Sequence, residues 1–283
     1  MAVHIIKDNY GKSRVRLMKV ARDGARHDLQ NLTLNIALEG DFDAIHTVGD
    51  NSLCLPTDTM KNTVYALAGQ IADIEPIEAF GQRLTSHFLE NNQQVSRVVI
   101  EIFEHGWKRM KFDGEMHSHS FIKGSGEKRT AKIAATRTSV TIESGVDDLI
   151  VLKTTESGFA GFVKDQYTTL PETTDRIFST AIKATWRYSE PAAATDLAFE
   201  SIRESILSVF ANHNSLSVQH TLYAIGEAIL EKFDSVAEIS FSLPNIHCLP
   251  VDMTKFGQAN DNRIFVPTDE PHGLIEAKLA RSR

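Results

Sequence analysis

Leu32-Thr33-Leu34-Asn35-Ile36-Ala37-Leu38 sets a large apolar side chain at every second position. Successive side chains of a strand point to opposite faces, so Leu32, Leu34, Ile36 and Leu38 share one face that needs a core to cover it. The pattern predicts a strand of an antiparallel sheet with one buried face. Downstream, Thr57-Asp58-Thr59 offers N-cap oxygens to a helix on which Met60, Val64, Leu67 and Ile71 recur at helical spacing. A second helix carries Phe80, Leu84 and Phe88 on one face. Val98, Ile100 and Ile102 then alternate in a strand leading to Trp107, and Asp113-Gly114 supplies the positive-φ residues of a tight hairpin before residues 117–122.

The second half of the chain repeats this order. Extended segments are expected near residues 150–155 and 183–188, then a helix through Phe199, Ile202, Ile206 and Phe210 and another through Val218, Leu222, Ile225 and Ile229. Ile239, Phe241 and Leu243 alternate in a closing strand. The halves share an order of elements and not a sequence. The predicted fold is α+β, with two tandem modules over residues 9–138 and 139–283, each an antiparallel sheet with helices on one face. The opposite sheet face and the free edges then need cover, which oligomerisation would supply.

Composition narrows the class. The chain has 283 residues, 42% hydrophobic and 24% charged, as an ordinary soluble globular protein has. Its 37 acidic and 30 basic side chains leave a net charge of -7, and no region has the basic surplus that a phosphate backbone demands, so nucleic acid is not an expected partner. The locally basic residues 123–132 are interrupted by Glu127 and contain Gly124 and Gly126, which predicts a solvated loop. Cys54 and Cys248 alone make neither a disulfide framework nor a paired zinc spacing, and a reducing compartment is expected. No apolar run is long enough to span a bilayer, and residues 1–8 lack an apolar secretory core. Ala280-Arg281-Ser282-Arg283 does not match a Ser-Lys-Leu address, which leaves the cytoplasm as the expected location.

The densest group of residues that core packing would not demand begins at Val151-Leu152-Lys153-Thr154-Thr155. It continues through Ser157, Phe159, Gly161-Phe162, Asp165 and Tyr167-Thr168-Thr169-Leu170 to Glu172, Thr173 and Asp175-Arg176. This run resembles the signature of urate oxidases. The resemblance covers nearly the whole chain, through Tyr10-Gly11-Lys12, Asp50-Asn51-Ser52, Thr57-Asp58, Lys61-Asn62-Thr63, Ser217-Val218-Gln219 and Ser242-Leu243-Pro244-Asn245 with His247. It implies the tunnelling fold, in which two modules per chain assemble into a homotetramer with active sites at subunit interfaces. It also implies urate and molecular oxygen as substrates, with no metal and no organic cofactor.

Carried over by that resemblance, Arg176 and Gln219 grip the substrate, Phe159 stacks on it, and Leu170 and Val218 flank it. The backbone amide of Asp58 completes the hydrogen bonding of the ring, and Thr57 and Asn245 also touch the site, Asn245 on the oxygen side. The physics suits a flat purine anion, since an aromatic face stacks on it and a guanidinium fork gives paired donors to its carbonyl and ring nitrogen. Lys12, Thr57 and His247 fall on the catalytic group. Lys12 would act as general base through the Thr57 hydroxyl, a role that requires the neutral amine, with His247 assisting proton movement. Two departures from the family pattern, Pro56 before Thr57 and Ala160 beside Phe159, bear on affinity and stability.

Taken singly, these residues have blander readings. Lys12 reads as a surface lysine, Thr57 as a helix cap, His247 as a sheet residue, Phe159 and Phe162 as core, and Arg176 as a surface ion pair. His117 and His119 form a His-x-His pair with His105 upstream, but no fourth ligand is evident, so structural histidines are expected. Cys248 beside His247 is not a nucleophile-base pair, because neighbours on a strand point apart. The alternative function is a purine- or pterin-binding protein of the same fold, non-catalytic or differently catalytic. A ring hydrolase would add a zinc ligand set, and a mere binder has no reason to keep Lys12, Thr57 and His247 together.

Overall fold

All four apolar positions of the 32–38 alternation are buried: Leu32, Leu34 and Leu38 are 0% exposed and Ile36 is 3% exposed. They lie on one strand of a large antiparallel sheet in a computed structural model that describes residues 3–268 and 270–281. Met1, Ala2, Ser282 and Arg283, used above for targeting, lie outside the described residues. The chain divides into two compact units, one of residues up to Gly145 with Arg187–Phe199, the other of Val146–Trp186 with residues from Glu200 onward.

In the first unit, Tyr10–Asp23 (β1) and Arg26–Gly40 (β2) form an antiparallel pair. A short helix Asp43–Thr47 (α1) and two longer ones, Thr57–Gly69 (α2) and Ile77–Asn91 (α3), precede Val95–Phe112 (β3) and Glu115–Thr136 (β4). The strands run in the order β1-β2-β3-β4, continued by the first part of Val140–Lys153 (β5). Asp113 (φ 49°) and Gly114 (φ 88°) make the expected hairpin between β3 and β4. Met60, Val64, Phe80, Leu84 and Phe88 bury the inner faces of α2 and α3. Gly81 lets α3 approach closely, since a Cβ there would sit 2.4 Å from Ile133 Cδ1.

Two local expectations are corrected. Residues 123–132 are strand and not loop, because β4 runs unbroken from Glu115 to Thr136. The glycines mark a bulge: Trp107 pairs with Lys123 and His105 with Lys128, so four residues of β4 stand opposite Gly106. Ile71 lies beyond α2, which ends at Gly69.

The second unit contains the rest of β5, then Phe178–Tyr188 (β6) as far as Trp186, Asp196–Asn212 (α4) from Glu200, Val218–Lys232 (α5) and Val236–Pro250 (β7). Two short strands, Phe265–Thr268 (β8) and Leu274–Ala280 (β9), both pair antiparallel with β7. Ile239, Phe241 and Leu243 are buried beneath Leu222, Ile225 and Ile229 of α5. Gly226 repeats the device of Gly81, since a Cβ there would lie 2.8 Å from Leu279 and 3.2 Å from Phe241.

A buried ion pair ties α3 to β4. Glu78, 0% exposed, accepts from Arg129 at 2.6 Å, and Arg129 also reaches Asp196 at 2.6 Å and stacks 4.4 Å over Phe199. Removing the carboxylate takes from Arg129, whose side chain is only 12% exposed, its buried partner and leaves it the more exposed Asp196. Glu78→Ala is therefore expected to lower the unfolding free energy by about 3 kcal/mol. Urea titration of wild type and variant measures it, and a loss below about 1 kcal/mol, the level of a surface pair, would contradict the assignment.

Candidate active site

The cavity with the richest chemistry belongs to the second unit. It holds about 550 Å³ and is lined by Phe159, Leu170, Glu172, Arg176, Asn245 and His247 among others. Two stretches of chain build most of it, with Asn262 and Phe265 completing the wall. One is the loop of residues 156–177, fastened by Phe159 N–H to Thr173 O at 2.7 Å, Thr173 N–H to Phe159 O at 3.0 Å and Arg176 N–H to Ser157 O at 2.7 Å. The other is the end of β7, where the Asn245 amide donates to Gly273 O at 2.8 Å and His247 pairs with Thr268. All six residues from Asn245 to Pro250 line the space, so the cavity wraps the strand end and strict alternation does not separate His247 from Cys248 here.

Arg176 is the electrostatic centre of this cavity. Burial pushes its pKa down, with no compensating charge among the causes. Its Nε is buried without a hydrogen-bond partner among the described residues, and its guanidinium lies 5.4 Å from the Phe159 centroid. A desolvated cation without an anion is costly, so the site is built for an anionic ligand beside an aromatic face.

Val218 and Gln219 open α5. Val218 is 4% exposed and Gln219 is exposed, and neither is among the lining residues of the cavity. The helix start is nevertheless tied to the loop, since Gly158 N–H donates to Ser215 O at 2.8 Å and Ser215 N–H to Glu156 O at 2.9 Å. Ser217 caps α5 by accepting from His220 N–H at 3.1 Å. Behind it, His213 packs its ring 4.3 Å from His220, and its pKa is pushed down by burial, then by His220 and Lys153.

Lys12, Thr57 and Asp58 belong to the first unit. Lys12 pairs with Ile36 at the point where the register of β1 shifts, and Arg14 there takes φ 59° and donates its amide to Asn35 Oδ1 at 2.9 Å. Its charge reaches Asp58, whose carboxyl is held below its usual range first by Lys61, with Lys12 a weaker influence. Thr57 is corrected from cap to first helical residue: Pro56 occupies the cap position and no side chain caps the helix. Proline accepts the first helical bond, from Met60 N–H at 3.2 Å, and cannot donate. The Thr57 hydroxyl is thus left free of capping duty, and the Asp58 amide is one of the first-turn N–H groups without a helical acceptor. Sequence reasoning passed over Tyr10 as a side chain, although it lies in the Tyr10-Gly11-Lys12 motif. Its hydroxyl accepts from Leu55 N–H at 2.8 Å, its ring meets Phe42 edge-on at 4.7 Å, and burial raises its pKa to about 12.

The histidines weighed as metal ligands are engaged elsewhere. His105 Nε2 lies 2.8 Å from Thr33 Oγ1, and His117 Nδ1 accepts from the amide of Ser120 at 3.1 Å.

The uricase family model matches residues 8–134 and 142–276 of the chain. The chain belongs to the uricase family. A uricase from Arthrobacter globiformis is 42% identical over 275 residues, covering 97% of this chain and 89% of that protein. One from Oryctolagus cuniculus is 37% identical over 289 residues, covering 99% and 95%. A crystal structure of uricase from Arthrobacter globiformis superposes with a TM-score of 0.93 at 42% identity, covering 100% of this chain and 97% of that one. Within this uricase-family chain, the structure gathers Phe159, Leu170, Arg176, Asn245 and His247 around one cavity of the second unit. It sets Lys12 within electrostatic reach of Asp58 in the first.

Proposed function

We propose that this chain oxidises urate with molecular oxygen and water to 5-hydroxyisourate and hydrogen peroxide, without metal or organic cofactor. The Arg176 guanidinium beside the Phe159 ring, its buried Nε without a partner among the described residues, carries the reading, because it asks for a flat anion. Arg176 and Gln219 hold opposite edges of the purine, Phe159 stacks on it, Leu170 and Val218 flank it, and the Asp58 amide donates to the ring. Lys12, relayed through the Thr57 hydroxyl, removes a further proton from bound urate. The electron-rich dianion transfers an electron to oxygen, and recombination at C5 gives a hydroperoxide. Loss of hydrogen peroxide leaves an imine, and water adds at C5 to give the product. His247 moves the protons of these steps, while Asn245 holds oxygen or water above the ring plane.

The working form in this reading is a homotetramer of two tunnelling-fold modules per chain, over residues 9–138 and 139–283, with Lys12 and Thr57 delivered to the site from a neighbouring subunit. Exposed apolar side chains support an interface in the first unit: Phe112 is 59%, Met116 60% and Ile122 57% exposed on the β3–β4 hairpin. Oxygen electrode traces with urate, before and after exhaustive chelation, test the function. Equal oxygen consumption in both is expected, with one peroxide formed per urate. No consumption before chelation would overturn the oxidase reading, and loss on chelation would overturn its cofactor independence.

A further inference from the structure

Phe162 stacks on Phe159, with ring centroids 4.8 Å apart and planes inclined by 15°. Phe159 lines the cavity and Phe162 does not, so Phe162 covers the face of Phe159 turned away from the ligand space. The intervening turn is specific: Gly161 takes φ 72°, a conformation other residues adopt only with strain, and so brings the ring at 162 back over the ring at 159. Beyond it, Lys164 Nζ lies 5.6 Å from the Phe162 centroid and forms a 2.7 Å ion pair with Glu172, itself a cavity-lining residue next to Thr173. Thr173 in turn pairs with Phe159 through both backbone hydrogen bonds. The loop is thereby closed on itself around the two rings.

We infer that Phe162 is a positioning residue for substrate binding, backing the Phe159 ring so that its free face stays parallel to the incoming purine. This rests on the urate reading above. A single phenyl ring on a loop can tilt about its side-chain torsions, and tilting removes the overlap on which stacking depends. A parallel ring behind it restricts that tilt. The residue next to Phe159 is Ala160, which is too small to wedge its ring from the side. Substrate then completes a three-layer stack of Phe162, Phe159 and purine, with Arg176 gripping the purine edge. An aliphatic side chain at 162 would fill the same space without imposing a plane.

The test compares Phe162→Leu with Phe162→Tyr, reading urate affinity by anaerobic titration and KM and kcat in air. In Phe162→Leu, the dissociation constant and KM are expected to rise together by about threefold to tenfold, the worth of one aromatic pair, while kcat changes by less than about twofold. Phe162→Tyr should restore affinity, which simple space-filling would not require. Unchanged affinity in Phe162→Leu, or equal losses in both variants, would overturn the inference. A wild-type protein that binds urate but consumes no oxygen would sink the oxidase reading and leave the binding comparison to decide the role of Phe162.

Discussion

Lys12→Met is expected to lower kcat for urate by about two to three orders of magnitude with little change in KM, the range associated with loss of a positioned general base. Methionine keeps the length and apolar stem of lysine but carries no proton. The change leaves the Asp58 carboxylate with its principal partners, since Lys61 and Asn62 both bond to it. The α2 start therefore stays in place: its geometry is held by Tyr10 accepting from Leu55 N–H and by the Pro56 carbonyl. In the proposed relay Lys12 acts through Thr57, so a Lys12→Met, Thr57→Val double variant should be scarcely slower than the worse single one. Stopped-flow turnover at saturating urate and oxygen, across pH, reads this directly. Full turnover with an unaltered pH profile in Lys12→Met would remove Lys12 from the chemistry, and strictly additive losses would remove the relay.

Arg176→Ala should act on binding. Two charge-assisted hydrogen bonds to a purine anion are worth about 1.5–3 kcal/mol each, so kcat/KM is expected to fall by about 10²- to 10⁴-fold. Arg176→Lys should recover only part of this, because an ammonium keeps the charge and loses the planar fork. The free protein supplies an independent check. Arg176 is half-buried and its Nε has no partner among the described residues, so its removal should not lower the melting temperature without ligand. Urate should raise the melting temperature of the wild type and not that of the alanine variant. A variant that melts well below wild type would show that Arg176 serves the fold, and unchanged kcat/KM would exclude it from the site.

The packing of this chain was readable where a period was long enough to be unambiguous. Leu32 to Leu38 on β2, Val98 to Ile102 on β3 and Phe80, Leu84 and Phe88 on α3 all face the core as their spacing requires. Residues 123–132 were misread because glycine and charge signal a turn locally, whereas here they serve a bulge opposite Gly106 on another strand, flanked by the His105–Lys128 and Trp107–Lys123 pairs. Thr57 was misread as a cap because its type suits that position. One residue of offset, set by Pro56, takes its hydroxyl out of the capping position.

The site divides along the same line. Residue types and spacing by themselves determined the element order, the buried faces and, through resemblance, the list of residues expected to hold and deprotonate a flat anion. Only the tertiary structure decided that Phe159, Leu170, Arg176, Asn245 and His247 surround one cavity, that the Arg176 Nε is buried there without a partner among the described residues, and that Phe162 stacks on Phe159. The physical reason is one of range. Periodicity and capping are properties of neighbours along the chain, whereas desolvation of a charge and stacking of a ring depend on segments that meet only after folding.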